Sequence, residues 1–207
     1  MGVRKIQHKQ KGKIHMRRMD SFSALDIINR VIDESVQEGD LCIDATAGRG
    51  HDTLHLCWLV GDSGHVTAFD IQQAAVDSTK ALLEKNGLAS RADVLLKSHS
   101  EMDELFEENS VSLITFNFGW LPRGDHNIFT KKETSIEAIE KGLRILKDGG
   151  IMTLILYYGR ETGFEERDAL LEFLPTLDCR KYTVVEMPFV NRPNCPPIPI
   201  LIIKGAC

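Results

Sequence analysis

Ten residues, Asp44-Ala45-Thr46-Ala47-Gly48-Arg49-Gly50-His51-Asp52-Thr53, do more than any other stretch to limit what this chain can fold into. The apolar residues Leu41, Cys42 and Ile43 lead into them as a strand. Gly48 and Gly50 then make a turn that can take positive φ, and the polar residues beyond begin a helix. In such a strand–turn–helix unit the glycines carry no Cβ to hold a ligand away, and the free amides opening the helix face the same cavity. Glycine spacing alone is a weak signal for nucleotide binding; the aspartates on either side strengthen it. The candidate ligand contacts of the unit are Asp44, Thr46, Ala47, Gly48, Gly50, His51, Asp52 and Thr53.

Around this unit, strand and helix patterns alternate. Ser23-Ala24-Leu25-Asp26 has the form of a helix N-terminal box, and apolar residues recur from Ala24 to Val36 at helical spacing. Strands are expected near Leu41–Ala45, His65–Phe69, Ala92–Leu96, Val111–Asn117, Ile151–Tyr158, Tyr182–Met187 and Ile200–Ile203, with helices over 52–60, 75–83, 101–106, 136–146 and 164–174. The unbroken apolar run Ile151–Tyr158 suits a strand buried on both faces of a mostly parallel sheet. The pattern is that of an α/β, Rossmann-like, doubly wound sheet of seven strands, mostly parallel, closing with a C-terminal antiparallel hairpin.

At 207 residues one domain is expected, spanning 21–207. No run reaches the eighteen or so apolar residues of a membrane span, and no apolar segment follows the basic N-terminus to make a signal peptide, so a cytoplasmic protein is expected. Five scattered cysteines with no C-x-x-C pair point to reduced thiols, not to disulfides or a zinc knuckle. The net charge of −5 conceals an asymmetry: residues 1–20 carry seven Lys/Arg against Asp20, +6, which leaves −11 for the remainder. The basic arm reads first as a flexible leader with little apolar anchoring; a polyanion-binding arm, or an extension ahead of Met16 or Met19, are the other readings.

In a doubly wound sheet ligands bind beyond the carboxyl ends of the strands. There the sequence places Asp44, Asp70, Ser98-His99 and Asn117. Asp70 follows Gly48 by 22 residues, the distance at which a carboxylate reaches the ribose hydroxyls of an adenosine over the glycine turn. Asp44 does not suit a pyrophosphate in that turn but suits a cation. Thr53 also replaces the third glycine of G-x-G-x-x-G. Both points favour S-adenosylmethionine over a nicotinamide dinucleotide. In a purely structural reading, Asp44 caps the turn and Asp70 merely ends a strand. His51 and His55 stand at helical spacing without a third ligand, so no metal is expected.

The Asp44–Thr53 string, Phe69-Asp70-Ile71-Gln72, Asn117-Phe118-Gly119-Trp120-Leu121-Pro122, Gly124-Asp125, and Asn191 with Pro196-Pro197 together resemble a bacterial family labelled rRNA methylases. Its better understood members are similar to tRNA methyltransferases acting on 5-aminomethyl-2-thiouridine at the wobble position. The resemblance spans about residues 22–205 and implies a class I S-adenosylmethionine-dependent methyltransferase, with Ile71, Gln72, Ser98 and His99 joining the donor site. One departure is Arg160, where the family's Tyr-x-Gly-His motif has histidine.

In amino-methylating enzymes of this class an Asn/Asp-Pro-Pro-aromatic loop stands where Asn117-Phe118-Gly119-Trp120 stands here. The resemblance therefore implies that Asn117 accepts a hydrogen bond from the target N–H and that Trp120 stacks on the base. Asp125 is the nearest candidate to hold an ammonium or take its proton. Alternatively, Phe118–Leu121 is only a hydrophobic turn. Trp120, Arg123, Arg160 and Asn191, with Lys131, Lys132 and Arg192, would form a rim for the tRNA anticodon loop, although each charge taken singly is as well explained as solvated surface. An rRNA base methyltransferase, a small-molecule N-methyltransferase and a non-catalytic adenosine-binding module are the competing readings, and a homodimer is left open.

Overall fold

A computed structural model of the chain describes residues 22–119, 132–159 and 161–205. The first helix, α1 (Ala24–Ser35), starts at Ser23, whose hydroxyl accepts the Asp26 amide while Asp26 accepts the Ser23 amide, the reciprocal bonds expected of its sequence. The Ser23 amide and, after it, the Ser23 hydroxyl donate to the Asp26 carboxylate and hold it below its ordinary range. There follow β1 (Leu41–Asp44), α2 (His51–Val60), β2 (His65–Asp70), α3 (Gln73–Lys85), β3 (Ala92–Leu96), β4 (Val111–Phe118), α4 (Lys132–Ile145), β5 (Leu146–Leu156), α5 (Glu161–Phe173), β6 (Tyr182–Glu186) and β7 (Ile198–Lys204).

Among the described residues these strands form one sheet in the order β3-β2-β1-β4-β5-β7-β6. The first five are mutually parallel; β7 runs antiparallel between β5 and β6. Chain order reverses between β1 and β4, where Asp44 sits opposite Thr115. A parallel sheet that winds in both directions leaves a crevice at that reversal, because the helices leaving the two strands cover opposite faces. On one face α1, α2 and α3 bury Ile28, Ile32, Leu56, Val60, Val76 and Leu83. On the other, α4 and α5 cover Ile114, Phe116, Phe118, Met152 and Leu154. Each such side chain contributes roughly 1.5–3 kcal/mol on burial, which makes the sheet a rigid base for its rim.

The differences from expectation are local. The segment expected as a helix over 101–106 is a 3-10 turn, His99–Glu104. The turn expected at Lys147–Gly150 lies inside β5 as an irregularity: Val111 pairs with Leu146 but Leu113 with Ile151, and Gly149 takes φ 75° to absorb the surplus residues. α5 begins at Glu161, ahead of Phe164. Cys42 and Cys57 are buried free thiols, and desolvation pushes both up to about 12. Among the described residues no helix is long and apolar enough to cross a membrane.

Candidate active site

At the reversal point, the end of β1 and the start of α2 are fastened together through Asp44. Its side chain is fully buried, with Oδ2 accepting the Thr53 hydroxyl at 2.6 Å and Oδ1 accepting the Thr46 amide at 3.2 Å. Burial raises its pKa well above the carboxylate range; Asp52 and, less strongly, Asp70 add to the rise, while the Thr53 and Thr46 bonds oppose it. Gly48 and Gly50 have φ of 54° and 81°. At Gly50 the turn also presses on α3, since a Cβ there would lie 2.9 Å from the Thr79 Cα. Ala47 is buried behind the turn and His51 is exposed at its far side.

Asp70, at the end of β2, accepts the Gly48 amide on Oδ2 and the Gln72 amide on Oδ1, both at 2.9 Å. It is thus held against the glycine turn, with Ile71 exposed beside it. Two backbone donors leave further lone pairs on each oxygen.

On β4, alternation turns Phe116 and Phe118 into the α4 side and Asn117 toward α2. The Asn117 amide nitrogen of the backbone donates to Thr46 Oγ1 at 2.7 Å, and the side-chain Nδ2 donates to Asp52 Oδ2 at 2.6 Å. After β3, the Ser98 hydroxyl accepts the Ser100 amide and meets the Ser100 hydroxyl at 2.8 Å, so it caps the 3-10 turn. His99 passes beneath β1: its Nδ1 contacts the Ala45 carbonyl at 3.1 Å, and its ring packs edge-on against Phe116 and Phe118. A carbonyl can only accept, so Nδ1 carries the proton. Nε2 is buried without a partner among the described residues. Burial lowers the pKa of this ring, against the opposing influence of the Ala45 bond and Asp70.

The structure therefore brings Asp44, Thr46, Gly48, Gly50, Asp52, Thr53, Asp70 and Asn117 into one hydrogen-bonded rim. Asn191 is exposed in the connection from β6 to β7, beside Arg192, whose guanidinium lies 3.9 Å over Phe189. Because Ile198 pairs with Leu156, which pairs with Phe118, that connection emerges at the same end of the sheet. Trp120, Arg123, Asp125 and Arg160, together with residues 1–20, lie outside the described residues. His55 Nε2 lies 2.7 Å from Asp33 Oδ1.

Tyr157 was not singled out by strand-end reasoning. It follows β5, its amide donates to the Phe118 carbonyl at 3.0 Å, and its Cβ would be 3.1 Å from a Cβ at Gly119 (φ 147°). Its phenol is raised by burial and then by the charge of Asp52. The polar residue closing an otherwise apolar strand was the available signal.

The rim fits S-adenosylmethionine better than a dinucleotide. Three carboxylates, Asp44, Asp52 and Asp70, surround the turn. Such a cluster repels a pyrophosphate and attracts a sulfonium and an ammonium. The turn admits close backbone approach, and Asp70 sits at the glycine turn with acceptor capacity for a ribose.

A family model described as "Putative rRNA methylase" matches residues 66–203. A tRNA (mnm(5)s(2)U34)-methyltransferase of the chloroplast of Arabidopsis thaliana is 35% identical over 183 residues, 84% of this chain and 66% of that protein. The chain thus spans slightly under two thirds of that relative's length. A crystal structure described as a "putative rRNA-methylase" from Clostridium thermocellum superposes with a TM-score of 0.87 at 41% identity, over 89% of this chain and 98% of that one. A crystal structure described as "a putative methyltransferase" from Streptococcus mutans, in complex with SAH, gives a TM-score of 0.80 at 30% identity, over 89% of this chain and 99% of that one.

Proposed function

The chain belongs to the rRNA methylase family and has the class I methyltransferase fold, and from that membership we propose that it methylates RNA, at the aminomethyl nitrogen of 5-aminomethyl-2-thiouridine in the tRNA wobble position. The observation that carries the reading is the meeting of the carboxylate rim with the Asn117 amide at the reversal point of the sheet. When bound, S-adenosylmethionine supplies an electrophilic methyl group on a sulfonium. Asp70 would hold the ribose, the Gly48–Gly50 backbone the adenosine, and the charges of Asp44 and Asp52 the cationic end.

The methyl acceptor is a neutral amine. An N–CH3 bond forms as the CH3–S bond breaks, the electron pair stays on sulfur, and the positive charge passes to nitrogen, which then sheds a proton to water. The carbonyl oxygen of Asn117 accepts the amine N–H and turns the lone pair toward the methyl. Its bond strengthens as charge builds on nitrogen, so it favours the transition state over the ground state. Orientation of two reactants is worth about 7–11 kcal/mol in well-aligned systems. Asp125, a candidate to receive the amine's proton, lies outside the described residues.

A small-molecule N-methyltransferase is the second reading, favoured by the acidic body of the chain. Labelled methyl donor with bulk tRNA from a strain lacking the modification, and separately with rRNA, tests the assignment. Incorporation into tRNA that weakens with salt is the expected outcome; no incorporation into either RNA contradicts it.

A further inference from the structure

Asp52 stands in the first turn of α2, 65 residues before Asn117, and meets its side chain at 2.6 Å. A planar amide presents a donor on one side and an acceptor on the other, and the two are nearly isosteric. A carboxylate offers only acceptors, so the group facing Asp52 must be the NH2. The oxygen is then the amide's other pole. Thr46 fixes the backbone of the same residue through its 2.7 Å bond to the Asn117 amide. Both the position and the rotational sense of the side chain are therefore determined by neighbours in the first strand–turn–helix unit.

We propose that Asp52 is a positioning residue for methyl transfer: it fixes the Asn117 amide with its oxygen, not its nitrogen, toward the amine to be methylated. The inference rests on the amine-methylating reading above. The chemistry makes the sense of the amide matter. An oxygen accepts the amine N–H and leaves the nitrogen lone pair free to form the N–CH3 bond. An NH2 in the same place would donate into that lone pair and occupy the electrons the reaction needs. Without Asp52 both orientations of the amide become available, and one of them is unproductive.

The test compares the full chain with Asp52→Asn, Asn117→Asp and the double exchange Asp52→Asn/Asn117→Asp. In the exchange the new amide at position 52 donates to the new carboxylate at position 117, whose second oxygen is again an acceptor, and the net charge is unchanged. With tRNA carrying the unmethylated aminomethyl group, Asp52→Asn is expected to lower kcat at saturating donor by ~100-fold with tRNA KM little changed, while the Kd for S-adenosylmethionine rises because the charge at position 52 is lost. Asn117→Asp sets two carboxylates against each other and lowers kcat as well. The exchange is expected to recover most of the lost kcat. A second readout is independent of turnover: the side-chain amide protons of Asn117, assigned by their loss in Asn117→Asp, should be protected from solvent exchange in the wild type and lose that protection in Asp52→Asn.

Wild-type kcat in Asp52→Asn at saturating donor overturns the proposal whatever the donor Kd, since Asp52 would then serve donor binding alone. So does an exchange variant that binds donor but is no more active than either single variant. Should the wild type methylate no tRNA, the proposed function falls instead. The amide protection then decides the positioning claim by itself, and unprotected Asn117 protons in the wild type overturn it.

Discussion

The Thr53 hydroxyl donates to the Asp44 carboxylate at 2.6 Å, and both side chains are fully buried. Thr53 occupies the position at which a dinucleotide fold carries its third glycine. The substitution is thus coupled to the aspartate that precedes the turn: the helix supplies the partner that a buried carboxylate requires.

Thr53→Val should expose the cost of that coupling. It keeps the volume but leaves Asp44 Oδ2 without its donor, and an unsatisfied buried acceptor costs about 1–3 kcal/mol. Urea unfolding should show a lower midpoint with an unchanged m-value.

Asp44 also sets a pH dependence. Burial first, and then the charge of Asp52, raises its folded-state pKa from the ordinary carboxylate value of 3.8 to about 7. The folded state therefore binds more protons than the unfolded state between those values, and the stability from this group falls as pH rises through that window. Asp44→Asn should flatten this part of the stability profile of the donor-free protein. Adding S-adenosylmethionine, a cation, should lower the pKa and take up fewer protons, so its binding should tighten as pH rises from 5 to about 7, measured by calorimetry.

Gly50→Ala should be damaging and Gly87→Ala mild. Both glycines have positive φ, 81° and 70°, and such strain in a non-glycine residue costs roughly 1–3 kcal/mol. At Gly50 the added Cβ would also lie 2.9 Å from the Thr79 Cα, whereas at Gly87 nothing lies within 4 Å. Thermal unfolding should rank Gly50→Ala well below Gly87→Ala, and only the former should weaken donor binding.

Asp70→Asn should weaken donor binding by about 10- to 100-fold, the factor matching the ~1.5–3 kcal/mol of a hydrogen bond to a charged group. Two backbone amides, of Gly48 and Gln72, converge on its two oxygens. An amide can satisfy only one of them and turns its NH2 against the other, so the glycine turn loses a fastening as well as the ribose an acceptor. Titration calorimetry with S-adenosylmethionine or SAH reads the change.

Much of the site was legible in sequence because its parts are local. Asp44, Asp70 and Asn117 each end or nearly end an apolar run, and a strand's last polar residue must lie on the rim of a parallel sheet. The alternation of strands and helices likewise carried the fold class and the closing hairpin. The contacts that organise the rim were not legible. Asp52 and Asn117 are 65 residues apart, and nothing in either local pattern records their approach across the crevice. Thr53 reads in sequence only as a missing glycine, and Ser98 as a rim residue, although its hydroxyl is engaged with Ser100. Tyr157 was hidden by the apolar strand it closes, and the irregularity in β5 by a Lys-Asp-Gly-Gly pattern that reads as an ordinary turn.

The most direct measurement is nucleoside mass spectrometry on tRNA that carries 5-aminomethyl-2-thiouridine, after incubation with the full chain and isotopically labelled S-adenosylmethionine. The expected result is a labelled methyl group on the aminomethyl nitrogen of the wobble nucleoside, strongly reduced in Asp52→Asn and recovered in the Asp52→Asn/Asn117→Asp exchange. Label in a different nucleoside, or none in any tRNA despite donor binding, would contradict the account.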